Sequence, residues 1–132
     1  MNPASIPLIT VRRGRVCIAL QAVRAGQNYN VTLTGGDAPH IGAVSVSQMV
    51  PGARHPEKTT VSTSVITLPG HKETRLATLV SERLARELRT TVSVSCGVHL
   101  ENIHKEEIAM VFTLSREAVR QLLRRIRLRE AE

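Results

Sequence analysis

The sequence predicts an α+β fold, a mostly antiparallel sheet of about five or six strands covered by two amphipathic helices. Three observations predict it. Apolar and polar residues alternate with period two in five segments, the spacing turns helical in two others, and the first four strands are joined by short, turn-rich connections. Short connections favour antiparallel neighbours over the crossovers of a doubly wound nucleotide fold.

In Arg15 to Gln21, Val16, Ile18 and Leu20 share one face and Cys17 and Ala19 the other. Ala25 to Asn28 reads as a turn, and Tyr29, Val31 and Leu33 then mark a second strand, so the pair suggests a hairpin. GGDAPHIG (35–42) stops regular structure. Alternation resumes from Ala43 to Val50, with Val44, Val46 and Gln48 on a common face, and a fourth strand is expected from Thr60 to Leu68 after a turn at 50–56. PGHKE (69–73) opens a helix in which Leu76, Leu79, Val80, Arg83, Leu84 and Leu88 recur at helical spacing. From Thr91 to Val98 the period returns to two, with Val92, Val94, Cys96 and Val98 facing one way. The stretch AMVFTL looks like a strand in isolation. Yet Ile108, Phe112, Ser115, Val119, Leu122 and Ile126 are spaced by fours and threes, which predicts one helix from about Lys105 to Arg129, with Ser115 as a candidate break. Glu106 and Glu107 in its first turn and arginines in its last match the helix dipole.

A chain of 132 residues is expected to form one domain, 1–132. Its residues are 42% apolar but 2% aromatic, with Tyr29 and Phe112 the only rings besides histidine, so the core must be built from Val, Ile, Leu and Ala. No apolar run is long enough to span a bilayer, and the opening MNPASIPLIT lacks the pattern of a secretory signal, so a cytoplasmic protein without a membrane partner is expected. Cys17 and Cys96 both lie in strand-like segments, as small buried thiols do. The net charge of +7 favours an anionic partner: nucleic acid, an acidic protein surface or a phosphate-bearing cofactor. Arg116, Arg120, Arg124, Arg125, Arg127 and Arg129 crowd the last seventeen residues, where the plain alternative is a solvated helix face.

The chemistry gathers in three loops at strand ends, GGDAPHIG (35–42), PGHKE (69–73) and CGVHLEN (96–102), each carrying a histidine beside glycine or a polar group. Glycine-rich backbone can turn N–H groups toward a phosphate, a helix start adds partial positive charge, and Lys72 adds a full one. His40, His71 and His99 form a candidate ligand set for a divalent metal, to be assembled only by the fold. Asp37 and Glu101 are candidates to orient histidines or bind a cofactor hydroxyl. No nucleophile elbow and no convincing carboxylate pair is present, so an ordinary hydrolase is disfavoured.

GGDAPHIGAV, LPGHKE before an amphipathic helix, and CGVHLENI followed by EEI resemble the prenylated-flavin chaperone family, the LpdD-like small component encoded beside gallate-type decarboxylases. The resemblance covers about residues 12–127. It implies a fold similar to proteasome assembly chaperones, a homodimer, and a chaperone or maturation role in delivering or activating prenylated FMN for a UbiD-like decarboxylase of aromatic acids. A flavin prenyltransferase is a further expected partner. The implied role is not that of an independent enzyme, although oxidative maturation of the cofactor falls within it. The motif positions that transfer as cofactor-binding candidates are Gly36, Asp37, His40, Gly42, Gly70, His71, Lys72, Glu73, Gly97, His99 and Asn102. One departure is His104, where relatives offer a better helix cap; either the first turn frays or Asn102 caps it. Two other readings stand beside this one. The first is an assembly factor or accessory subunit of the decarboxylase that binds no flavin. The second is a nucleic-acid binder using the arginine-rich tail, disfavoured by the scarcity of aromatic rings for base stacking.

Overall fold

Six strands and two helices form in the computed structural model, which describes residues 5–70 and 73–131. In chain order they are β1 (Ser5–Arg13), β2 (Val16–Ala25), β3 (Asn28–Gly36), β4 (Ala43–Pro51), β5 (Thr59–Thr67), α1 (Thr74–Leu88), β6 (Val92–His99) and α2 (Lys105–Glu130). They make one sheet in the order β1-β2-β3-β6-β4-β5. Every neighbouring pair is antiparallel except β3 and β6, which run parallel from Tyr29 opposite Val92 to Gly36 opposite His99. The α+β sheet with two helices is therefore as the sequence predicts, and the count is six.

The strand that pattern reading missed is β1. Pro7 interrupts its alternation, and the register with β2 slips between Ile6 and Ile9. An edge strand tolerates both, since proline costs no ladder bond on the open side. Ile6 and Ile9 are each only 1% exposed, so the strand is held by its core side chains.

One non-local choice organises the rest. β6 inserts between β3 and β4, so β5 and β6 point the same way and α1 becomes a crossover lying over β4. α2 covers β1 and β2 on the same face of the sheet. Between sheet and helices lies an aliphatic core, in which Ile18, Leu20, Leu33, Val92 and Val94 meet Val80 and Leu84 of α1 and Val119, Leu122 and Ile126 of α2.

Val44, Val46 and Gln48 share one face of β4 as expected, and the structure shows which face the core takes. On β4 it is Ala43, Ser45 and Ser47 that are buried, while Val44 is half-buried and Val46 and Gln48 lie exposed on the uncovered side of the sheet. On α1 the buried stripe is Leu76, Ala77, Val80, Ser81, Leu84 and Ala85, with Leu79, Arg83 and Leu88 at its margins. The reason is close approach: small side chains on both elements let α1 settle onto β4, and their hydroxyls satisfy one another. Ser81 Oγ lies 2.5 Å from Ser45 Oγ and 2.8 Å from Ser47 Oγ, Ser47 reaches Thr63 at 2.8 Å, and Thr63 donates to Glu82 at 2.7 Å.

The last helix runs unbroken through Ser115. Its first turn is not frayed, and Asn102 does not cap it. His104 occupies the cap position, and the Glu107 carboxylate reaches back to accept its backbone N–H at 3.0 Å. Arg15 clamps the same carboxylate from β1–β2, with Nε and Nη2 at 2.6 and 2.7 Å.

Candidate functional site

The strand directions bring three loops to one rim. There the parallel strands β3 and β6 end, as does β5, while β4, α1 and α2 begin. Residues 37–42 carry the chain from β3 to β4 across the end of β6. Asp37 N–H donates to His99 O at 2.6 Å, Gly42 N–H to Cys96 O at 2.8 Å, and Leu68 N–H to Gly42 O at 2.9 Å. Those backbone groups are committed to sheet carbonyls, so the first loop offers side chains more than amides. Two glycines make the crossing possible: a Cβ at Gly97 would overlap the His40 carbonyl, and one at Gly42 would overlap the Glu73 carboxylate.

His40 and Glu73 form the centre of the rim. His40 Nε2 lies 2.8 Å from Glu73 Oε1, and its Nδ1 lies 2.9 Å from Ala38 O. Both ring nitrogens thus face acceptors. Glu73 is 11% exposed, and its other oxygen, Oε2, is buried without a hydrogen-bond donor among the described residues. The His99 ring stands 6.5 Å from that of His40, edge to face, with Nε2 3.0 Å from Glu101 Oε1. Asp37 accepts the Glu101 N–H at 3.1 Å and lies 3.6 Å from Arg15 Nη1. Asn102, at φ 50°, turns the chain from β6 toward α2. Beneath the rim, burial pushes the Cys96 thiol up to about 12, with the Glu73 charge adding to it, so Cys96 is a neutral core residue.

Of the residues singled out in the sequence, Gly36, Asp37, His40, Gly42, Glu73, Gly97, His99 and Asn102 meet here, with Gly70 in the adjoining turn at φ 81°. His71 and Lys72 lie outside the described residues. For the metal set, the described residues contain no group of three or more His, Cys, Asp or Glu arranged to hold an ion.

What pattern reading missed is a cleft of about 370 Å³ beside the histidines, between the starts of α1 and α2. Its wall is Leu76, Val98, Ile103, Ile108, Val111 and Phe112, and Glu73 and Arg75 form its polar edge. The Arg75 guanidinium sits 5.1 Å from the centre of the Phe112 ring. Ile108 and Phe112 belong to the stripe expected to face the core, yet Ile108 is 47% exposed, and Phe112 is half-buried, packed against the core's edge where it also lines the cleft. Larger grooves of about 580 and 630 Å³ on the outer helix faces are lined instead by charged side chains such as Arg83, Arg86, Arg116 and Arg120.

An open sheet with both helices on one face, and loops meeting where they start, defines the class: the structure is similar to a chain from the crystal structure of a chaperone complex for yeast 20S proteasome assembly. The TM-score is 0.54 at 10% identity, covering 90% of this chain and 95% of that one, so the likeness is one of fold. No curated protein matches the chain. Residues 12–127 match the family described as the prenylated flavin chaperone LpdD-like domain, and the chain belongs to that family.

Proposed function

We propose that this protein binds prenylated FMN at the rim formed by its three loops and acts as a chaperone or maturation factor, delivering the cofactor to, or activating it for, a UbiD-like decarboxylase of aromatic acids. The observation that carries this reading is the meeting of the three family motifs beside an apolar cleft, in a chain that belongs to the prenylated flavin chaperone family. The residues fit such a group. A flavin presents N–H and hydroxyl donors, and the rim presents carboxylates, one of whose oxygens is buried without a donor among the described residues, while the adjoining cleft offers an apolar wall to the hydrocarbon that prenylation adds. Glu73, Asp37, His40 and His99 would hold the polar part of the cofactor. When bound, the cofactor supplies the chemistry its partner enzyme uses; this chain's own groups position it and shield it from water.

The same proposal takes the protein as a cytoplasmic homodimer that receives its cargo from a flavin prenyltransferase. Among the described residues no helix is long and apolar enough to cross a membrane. Co-expression with a flavin prenyltransferase is expected to yield yellow protein with flavin absorbance. Colourless protein at saturating cofactor contradicts the reading.

The arginine layer on the helices favours one second reading, an assembly factor that binds no flavin. Under it, His40→Ala and His99→Ala leave decarboxylase activation intact while Arg120→Glu and Arg124→Glu abolish it; under the proposal the histidine variants lose activation.

A further inference from the structure

In prenylated FMN an isoprenoid unit closes an additional ring onto the flavin, and the hydrocarbon atoms it adds are what separate it chemically from plain FMN. Those atoms offer no donor or acceptor and ask only for an apolar wall. The rim loops supply little of that: around His40 and His99 stand Asp37, Glu73, Glu101 and Arg15. The cleft between the helix starts is different. Among its lining residues, polar groups occur only at the Glu73 and Arg75 edge. It also contains Phe112, one of the chain's only two Phe, Tyr or Trp rings. Ile103 and Ile108, 40% and 47% exposed, stand over it as large aliphatic side chains left in water at its mouth. Among the described residues, nothing covers these two side chains more fully than the cleft they line.

We infer that this cleft takes the hydrocarbon that prenylation adds to the cofactor, and that Ile103 and Ile108 are the residues that discriminate prenylated from plain FMN. The inference rests on the flavin reading above and adds to it a location and a basis for specificity. Glu73 lies at the boundary, its side chain touching the cleft on one side and His40 on the other. The hydrocarbon part of the ligand would therefore sit toward α2 and the polar part toward the loop at 37–42. Arg75, stacked on Phe112, closes the outer side.

The test is a pair of anaerobic titrations of the full chain, with FMN and with prenylated FMN, followed by flavin fluorescence. The variants are Ile103→Asn, Ile108→Asn and the conservative Ile108→Leu; both positions are substantially exposed, and circular dichroism checks that each variant is folded. The wild type is expected to prefer prenylated FMN by at least about tenfold, the worth of a few buried hydrocarbon groups. Each Asn variant should lose most of that preference while its affinity for FMN stays within about twofold, and Ile108→Leu should retain the preference. Asn variants that keep the full preference overturn the assignment while leaving the flavin reading intact. An equal loss for both flavins overturns it too, by placing the whole flavin body on these side chains. If the wild type binds neither flavin, the reading beneath the inference fails first.

Discussion

Gly42 carries no side chain because the Glu73 carboxylate occupies the space where one would be. Gly42→Ala is expected to displace Glu73 from His40 and to cost about 1–3 kcal/mol of stability, read as a lower midpoint in urea. The glycines, histidines and Glu73 were legible in the sequence as unusual loop residues, but their mutual contacts were not, since residues 40, 73 and 99 meet only through the strand order. Glu107 gives a pH-dependent case. The Arg15 guanidinium, then the His104 N–H, hold its carboxyl well below the usual carboxylate range, at about 2. In the unfolded chain the group takes up its proton near 4.5, so its contribution to stability is complete above that value and is lost as the pH falls toward 2. Unfolding titrations at a series of pH values should show a shallower acid slope between these limits for Glu107→Gln than for the wild type. Cys96 behaves in the opposite sense: its raised pKa keeps it protonated and inert in the folded chain. A thiol reagent at pH 8 should therefore label the half-exposed Cys17 alone, with Cys96 reacting only on denaturation; rapid native labelling of both would contradict its burial.

At the scale of elements, α1 and β4 are joined by hydroxyls, while Val44 and Val46 lie on the opposite face of the strand. Period two separates the faces of β4 correctly, but it does not say which face a helix will cover. The answer depended on β6 entering the sheet beside β4 and on α1 crossing above, both non-local. Ser81→Ala would leave Ser45 and Ser47 with fewer partners in a dry interface and is expected to cost about 1–3 kcal/mol; a midpoint unchanged from wild type would contradict the account. The long helix was readable because its four-and-three spacing persists over six apolar or small positions. The exposure of Ile108 at the cleft was not readable, because spacing records a stripe without recording how far other elements cover it.

For the whole molecule, both helices lie on one face, and the other face presents Val44, Val46, Thr32, Thr34, Ser93 and Ser95, uncharged and, among the described residues, without a covering element. The proposed homodimer would bury this face, and Val46→Lys at its centre is expected to shift the protein to monomer in light scattering without changing its far-ultraviolet circular dichroism. A wild type that is monomeric at micromolar concentration would remove the dimer and leave the rim unaffected. The rim is the centre of the account: strand order alone carries three distant loops to the place where two helices begin and an apolar cleft opens. Native mass spectrometry of protein freshly isolated from cells expressing a flavin prenyltransferase tests that account most directly. It predicts one prenylated FMN per protomer, lost in Glu73→Ala, and a bare protein mass under saturating cofactor would contradict it.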